Sequence, residues 1–176
     1  YIHALDSNHL ISSGDAGVRD ECSSRREGFP DHFKFRTDTV SEHLANYAAS
    51  QAPVDVWSLH FGGNFTERFK TPADDIDKLD FLRVYTRAAK AASAPLYIGE
   101  LTQEPPKFKQ DPEAKWCCAA ITVIEEEGVP LTSLWVFGFK WQDREGLNIS
   151  SASEHPALMK QISEFNRKYA RLTETK

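Results

Sequence analysis

Pro95-Leu96-Tyr97-Ile98-Gly99-Glu100 is a short apolar run that starts at a breaker and ends in glycine and a carboxylate. An aliphatic and aromatic run of this length, bounded in this way, is the pattern of a strand buried on both faces of a parallel sheet. Such a strand delivers its last side chain at its C-terminal tip. In a barrel of alternating strands and helices that tip opens on the active-site mouth rather than the packed interior. Two readings of Glu100 follow. It presents a carboxylate to a bound substrate, or it caps the loop that follows.

The same design recurs on either side of this run. His9 to Ser13 reads as an earlier strand, followed by a long polar loop with Gly14, Asp15, Gly17, Gly28 and Pro30. Thr39-Val40-Ser41-Glu42 has the spacing of a capping box and starts a helix with Leu44, Tyr47 and Ala48 at helical intervals. Val54 to Leu59 is the next strand, ending at His60-Phe61-Gly62-Gly63. A helix from Asp74 to Ala92 carries Ile76, Leu79, Leu82 and Tyr85 as its apolar stripe, with Asp74, Asp75 and Asp77 complementing its N-terminal dipole. After the opening strand, Asp111-Pro112 starts a helix built on Trp116, Ala120, Val123 and Ile124 that Gly128 ends. Leu131 to Phe137 is the last strand, and the final helix begins at His155-Pro156 with Leu158, Ile162, Phe165 and Tyr169 inward. Apolar strands alternating with helices predict an α/β fold with a parallel sheet and right-handed crossovers. Neither a linker nor a low-complexity tract divides residues 1–176, so they read as one unit. Tyr1 to Leu5 reads as the tail of a helix, and a half-barrel of strand-helix units is expected, because closure takes about eight strands.

At 176 residues and 19.9 kDa, with 40% hydrophobic residues, the chain is long enough to bury a core. Eleven Phe, five Tyr and four Trp suit a thick core or a carbohydrate-binding cleft. A formal net charge of −5 and a pI near 5.7 give no footing for nucleic acid or an anionic membrane. No apolar stretch approaches the roughly 20 residues that span a bilayer. Cys22, Cys117 and Cys118 match neither a disulfide framework nor a zinc spacing, and the adjacent pair reads as packing. Asn64-Phe65-Thr66 and Asn148-Ile149-Ser150 fit the N-glycosylation acceptor pattern. Ser12, Ser13 and Ser58 lack the His-and-acid pattern of serine chemistry, and Gly62-Gly63 is too short to cradle a phosphate.

Taken together, these segments resemble the C-terminal half of a glycoside hydrolase barrel, the cellulase and mannanase group of family 5 in clan A. Asp6-Ser7-Asn8-His9-Leu10-Ile11-Ser12-Ser13-Gly14 is similar to that family's fifth strand, and Asp55-Val56-Trp57-Ser58-Leu59-His60 to its sixth. Tyr97-Ile98-Gly99-Glu100 resembles the seventh strand, where Gly-Glu carries the nucleophile, and Leu134-Trp135-Val136-Phe137 resembles the eighth, which supplies an aromatic platform. The resemblance implies a parallel (β/α)4 half of a (β/α)8 barrel and retaining hydrolysis of a β-linked polysaccharide or oligosaccharide. It implies no cofactor or metal, and a secreted or extracytoplasmic location. Two features depart from the family pattern. The acid/base Glu of the fourth strand would precede Tyr1, and the aromatic two residues after the sixth-strand His is here Gly62.

The resemblance assigns Glu100 as nucleophile, one of the two carboxyl groups that such chemistry needs about 5–5.5 Å apart. The acid/base is then expected from an N-terminal half-barrel segment or a second chain. His60 either bonds the carboxylate or a sugar hydroxyl, or sits as a satisfied histidine in the barrel wall. Trp135, Phe137, Phe139 and Trp141 share the candidate platform role with core and lid roles, and Asp15 either reaches the cleft or caps its loop. Trp57 reads as packed between sheet and helices, and Glu125-Glu126-Glu127 as a solvated helix end. The rival expectation is a non-catalytic carbohydrate-binding or scaffold barrel.

Overall fold

The computed structural model describes residues 2–28, 35–62, 78–102, 114–135 and 155–174. In chain order its elements are α1 (Ile2–Leu5), α2 (Cys22–Arg26), α3 (Val40–Gln51), β1 (Trp57–Gly62), α4 (Lys78–Ala91), β2 (Leu96–Thr102), α5 (Lys115–Glu126), β3 (Leu131–Leu134) and α6 (Pro156–Glu174). The strands form one parallel sheet in the order β1-β2-β3, each joined to the next through a helix. This is the expected α/β alternation of a partial (β/α)8 barrel.

The expected strand from His9 to Ser13 is reduced to a single parallel bridge, Ser12 to Val56. The reason lies at Ser58. Val56 takes up Ile11 O (3.0 Å) and His60 takes up Ala16 O (3.2 Å), but Ser58 N–H between them donates to Gln51 Oε1 at 3.0 Å. Its carbonyl accepts from Tyr47 Oη at 2.8 Å. Two side chains of α3 thus take the place of a strand neighbour, and residues 12–16 bow past β1 instead of pairing along it. Strand β1 also starts later than Val54, because Val54 N–H is tied to Gln51 O at 3.1 Å in the turn that leaves α3.

The structure adds α2 where the sequence reads as loop. Buried Asp38 holds it, accepting from Ser23 N–H at 3.0 and 3.1 Å and from Asn46 Nδ2 at 2.9 Å. The capping box at Thr39 and Glu42 is present in both directions. The expected starts of α4 at Asp74 and of α5 at Asp111-Pro112 fall outside the described residues, as do both acceptor triplets.

The core lies between the outer face of the sheet and the helices. Leu59, Phe61, Ile98 and Leu101 are fully buried against Tyr47, Phe81, Leu82 and Tyr85, with Cys117 and Ile124 from α5. Tyr85 packs at right angles to Tyr47 (4.9 Å, 85°) and to Phe81 (5.0 Å, 89°), and Trp57 does so to Tyr47 at 5.5 Å. Edge-to-face pairs of this kind contribute about 0.5–1.5 kcal/mol each beyond buried area. Trp57 is therefore core, as its place in the strand implied.

Helices α4 and α5 end in the same motif with different residues. After α5, Gly128 at φ 64 lets its own N–H reach Glu125 O (3.1 Å) and that of Val129 reach Ile124 O (3.0 Å). After α4, Ser93 at φ 56 does likewise, with Ser93 N–H on Lys90 O (2.9 Å) and Ala94 N–H on Ala89 O (3.0 Å). Both are Schellman ends, and only one has the glycine that left-handed backbone favours.

The Glu125-Glu126-Glu127 run, expected as a merely solvated end, is tied to both flanking helices. Glu125 meets Lys168 of α6 at 2.5 Å, Glu126 meets Arg83 of α4 at 3.1 Å, and Glu127 meets Lys90 at 3.0 Å. The hydrogen bond from Lys90 first, helped by the Lys90 and Arg87 charges, holds the Glu127 carboxyl below its usual range against the opposing effect of burial. Cross-helix partners, which no local pattern reveals, offset the unfavourable helix-end position at Glu127.

Candidate active site

Strict alternation along β2 would put Glu100 on the side of Ile98, which is buried under the helices. The register prevents this. Leu59 pairs with Ile98, but the next residue of β1, His60, pairs with Glu100, and Phe61 with Leu101. On the other edge Ile98 pairs with Thr132 and Leu101 with Leu134, so β2 spends three steps where β3 spends two. One extra residue therefore sits in β2 at Gly99-Glu100, a bulge of the kind that re-aims a side chain. Glu100 turns to the inner face beside His60, while Leu101 stays in the core.

His60 Nδ1 lies 3.2 Å from Glu100 Oε2, and both side chains are about one-third exposed, at 33% and 30%. With its proton on Nδ1 the imidazole donates to the carboxylate. The ring rests over Gly99: a Cβ built there would stand 3.1 Å from both His60 Cδ2 and Nε2, and 3.6 Å from Tyr97 Cε1.

Other polar side chains share this end of the sheet. Tyr97 Oη lies 3.0 Å from Ser133 Oγ, linking β2 to β3. Trp135 is half-buried, and its N–H donates to Leu101 O at 3.0 Å, so it follows β3 next to the strand end that carries Glu100. Asp15 is half-buried and uses Oδ1 to accept from Gly17 N–H at 3.0 Å, the loop-capping role. Its backbone is joined to β1, since Asp15 O accepts from Ser58 Oγ at 3.0 Å and neighbouring Ala16 O from His60 N–H. Phe137, Phe139 and Trp141 lie outside the described residues.

The structure thus joins Glu100 and His60 directly, sets Trp135 at the adjoining strand end, and ties the Asp15 loop to His60 through backbone. Tyr97, Ser133 and Gly99 join the site beyond the residues expected from the sequence. Tyr97 stands two residues before Gly99, the period that shares a face of a strand, and that signal was available. Ser133 carried none.

No family model matches the chain, and no curated protein matches it. Among solved structures it is similar to an endo-1,4-beta-mannanase from Rhizomucor miehei, with a TM-score of 0.53 at 19% sequence identity. The match covers 94% of this chain and 43% of that one, so the chain spans less than half the length of the mannanase. At this identity the likeness is one of fold alone, a partial (β/α)8 barrel as expected from the sequence.

Proposed function

We propose that this chain carries the nucleophile side of a retaining glycoside hydrolase acting on a β-linked polysaccharide or oligosaccharide, with Glu100 as nucleophile. The observation that carries the reading is the bulge that turns Glu100 from the core onto the inner face, 3.2 Å from His60. A carboxylate needed only as a loop cap has no use for that turn. The likeness to a mannanase supports the same reading and makes β-1,4-linked mannan the first substrate to try.

Glu100 attacks the anomeric carbon as an acid on the opposite side protonates the departing glycosidic oxygen. A covalent glycosyl ester forms and the sugar leaving group departs with its proton. The second carboxyl group, now a base, takes a proton from water, and hydroxide displaces Glu100 with net retention. His60 orients the attacking oxygen through its Nδ1–H, and Trp135 offers a face for the sugar ring. The family resemblance puts the acid/base on the fourth strand, so it is assigned to a complementary half-barrel, whether another segment or a second chain. The mannanase, more than twice the matched length, accommodates such a half.

Chemical rescue tests this. Glu100→Ala should lose turnover of an activated aryl β-glycoside, and azide, entering the space left by the carboxylate, should restore it by forming the α-glycosyl azide. Wild-type turnover by Glu100→Ala, or a β-glycosyl azide, would assign the nucleophile elsewhere. A wild type that binds β-glycan without hydrolysing it would point to the non-catalytic barrel.

A further inference from the structure

We infer that Gly99 is a positioning residue for the site, acting through His60; this rests on the reading of Glu100 as the reacting carboxylate. Two independent features converge on it. The first is register: both neighbouring ladders slip by one residue at this point, and the slip brings Glu100 opposite His60. The second is space. The imidazole edge occupies the volume that any side chain at residue 99 would need, with Cδ2 and Nε2 each 3.1 Å from the position of a Cβ. That is closer than ordinary van der Waals contact, so an added methyl moves the ring by a few tenths of an ångström. The 3.2 Å contact from Nδ1 to Glu100 is at the long end of the hydrogen-bond range, so the displaced ring either closes on the carboxylate or tilts off it, and in both cases the pairing with Glu100 changes. Glycine is required here for close approach, not for an unusual backbone angle.

The sheet therefore holds the histidine from below through bare backbone and from the side through the carboxylate. Tyr97 Cε1 lies 3.6 Å from the same Cβ position, so the space over Gly99 is bounded by both rings. Glu100 thus holds the ring from the side, and Gly99 sets its height above the strand.

The test is a double-mutant cycle in the complete protein: wild type, Gly99→Ala, His60→Ala and the pair. Imidazole 15N shifts of His60, recorded with and without Gly99→Ala, read the ring's tautomer and contact with Glu100 without reference to turnover. The expected result is a displaced His60 signal and a kcat lowered by roughly threefold to tenfold, since a 1 Å misplacement of a catalytic group can cost about a hundredfold. KM should change by less than about threefold, as the sugar-contacting surface is untouched. In the His60→Ala background the same substitution should have no further effect, because the obstacle is gone. An unshifted His60 spectrum in Gly99→Ala overturns the proposal, and so does an equal loss of kcat in both backgrounds. Should Gly99→Ala fail to fold, the pair decides: folding restored by His60→Ala supports the seat, and failure of the pair overturns it. If the wild type hydrolyses no glycan, the proposed function falls while the His60 spectrum still decides whether Gly99 seats the ring.

Discussion

Replacing Tyr47 by phenylalanine removes one oxygen from the centre of the fold. Tyr47 is fully buried, and its hydroxyl donates to Ser58 O at 2.8 Å, two residues before His60 on β1. The phenyl ring keeps its edge contacts with Trp57 and Tyr85, so the change isolates the hydrogen bond. What is lost is the bond itself and the satisfaction of a buried carbonyl, together about 1–2 kcal/mol. For a domain of this size that is roughly 3–6 °C in Tm. Urea unfolding followed by circular dichroism should show a lower midpoint with an unchanged slope. Tyr47→Ala, which also empties the ring's volume, should cost about 3–5 kcal/mol. The pH dependence supplies a second check. Burial above all, and then the Asp15 charge, push the Tyr47 phenol above its ordinary 10.0. The folded state favours the protonated phenol, so this contribution is complete below pH 10 or so and fades as pH rises toward the folded value. Tyr47→Phe should therefore lack part of the wild type's alkaline loss of stability. A phenylalanine variant as stable as wild type would refute the role given to α3 as a surrogate strand neighbour of Ser58.

Ser93→Gly should stabilise the fold by about 0.5–1 kcal/mol and Gly128→Ala should destabilise it by about 1 kcal/mol, because both residues hold left-handed backbone at matching Schellman ends; opposite shifts in Tm check this. Arg36 first, then Thr39 N–H, hold the Glu42 carboxyl down from 4.5 to about 2. A depressed folded value means the contribution is present above pH 4.5 and lost as pH falls toward 2, so Glu42→Gln should flatten that part of the acid limb of a Tm–pH curve. Glu100→Gln, which keeps shape and hydrogen bonding, should abolish turnover in the complete enzyme while leaving glycan affinity and Tm nearly unchanged; substantial residual activity would assign the chemistry to another residue.

The alternation of strands and helices was legible because it depends on local signals: apolar runs between breakers, the Thr39 box and Gly128. What escaped depends on partners distant in the chain. The strand at His9 to Ser13 failed because Gln51 and Tyr47, from a later helix, took Ser58's backbone groups. Helix α2 formed because Asp38, fifteen residues after Ser23, supplies its acceptor. Glu125, Glu126 and Glu127 read as one solvated run, and only packing shows that they diverge to α6 and α4. At the site, Gly-Glu at a strand end marked Glu100, yet alternation alone would have sent it into the core. The bulge that turns it is a relation between three strands, written in no one of them.

The central claim is that Glu100 forms a bond to the anomeric carbon of a β-glycoside. A 2-deoxy-2-fluoro-β-glycoside with a good leaving group should form that ester quickly and release it slowly, since the fluorine destabilises the charge of the second transition state. Intact-mass and peptide mass spectrometry of the complete enzyme should then find one added fluoroglycosyl group, on the peptide containing Glu100 and absent from Glu100→Gln. An adduct on a different carboxylate, or turnover of the parent glycoside with no adduct at any time, would contradict the assignment.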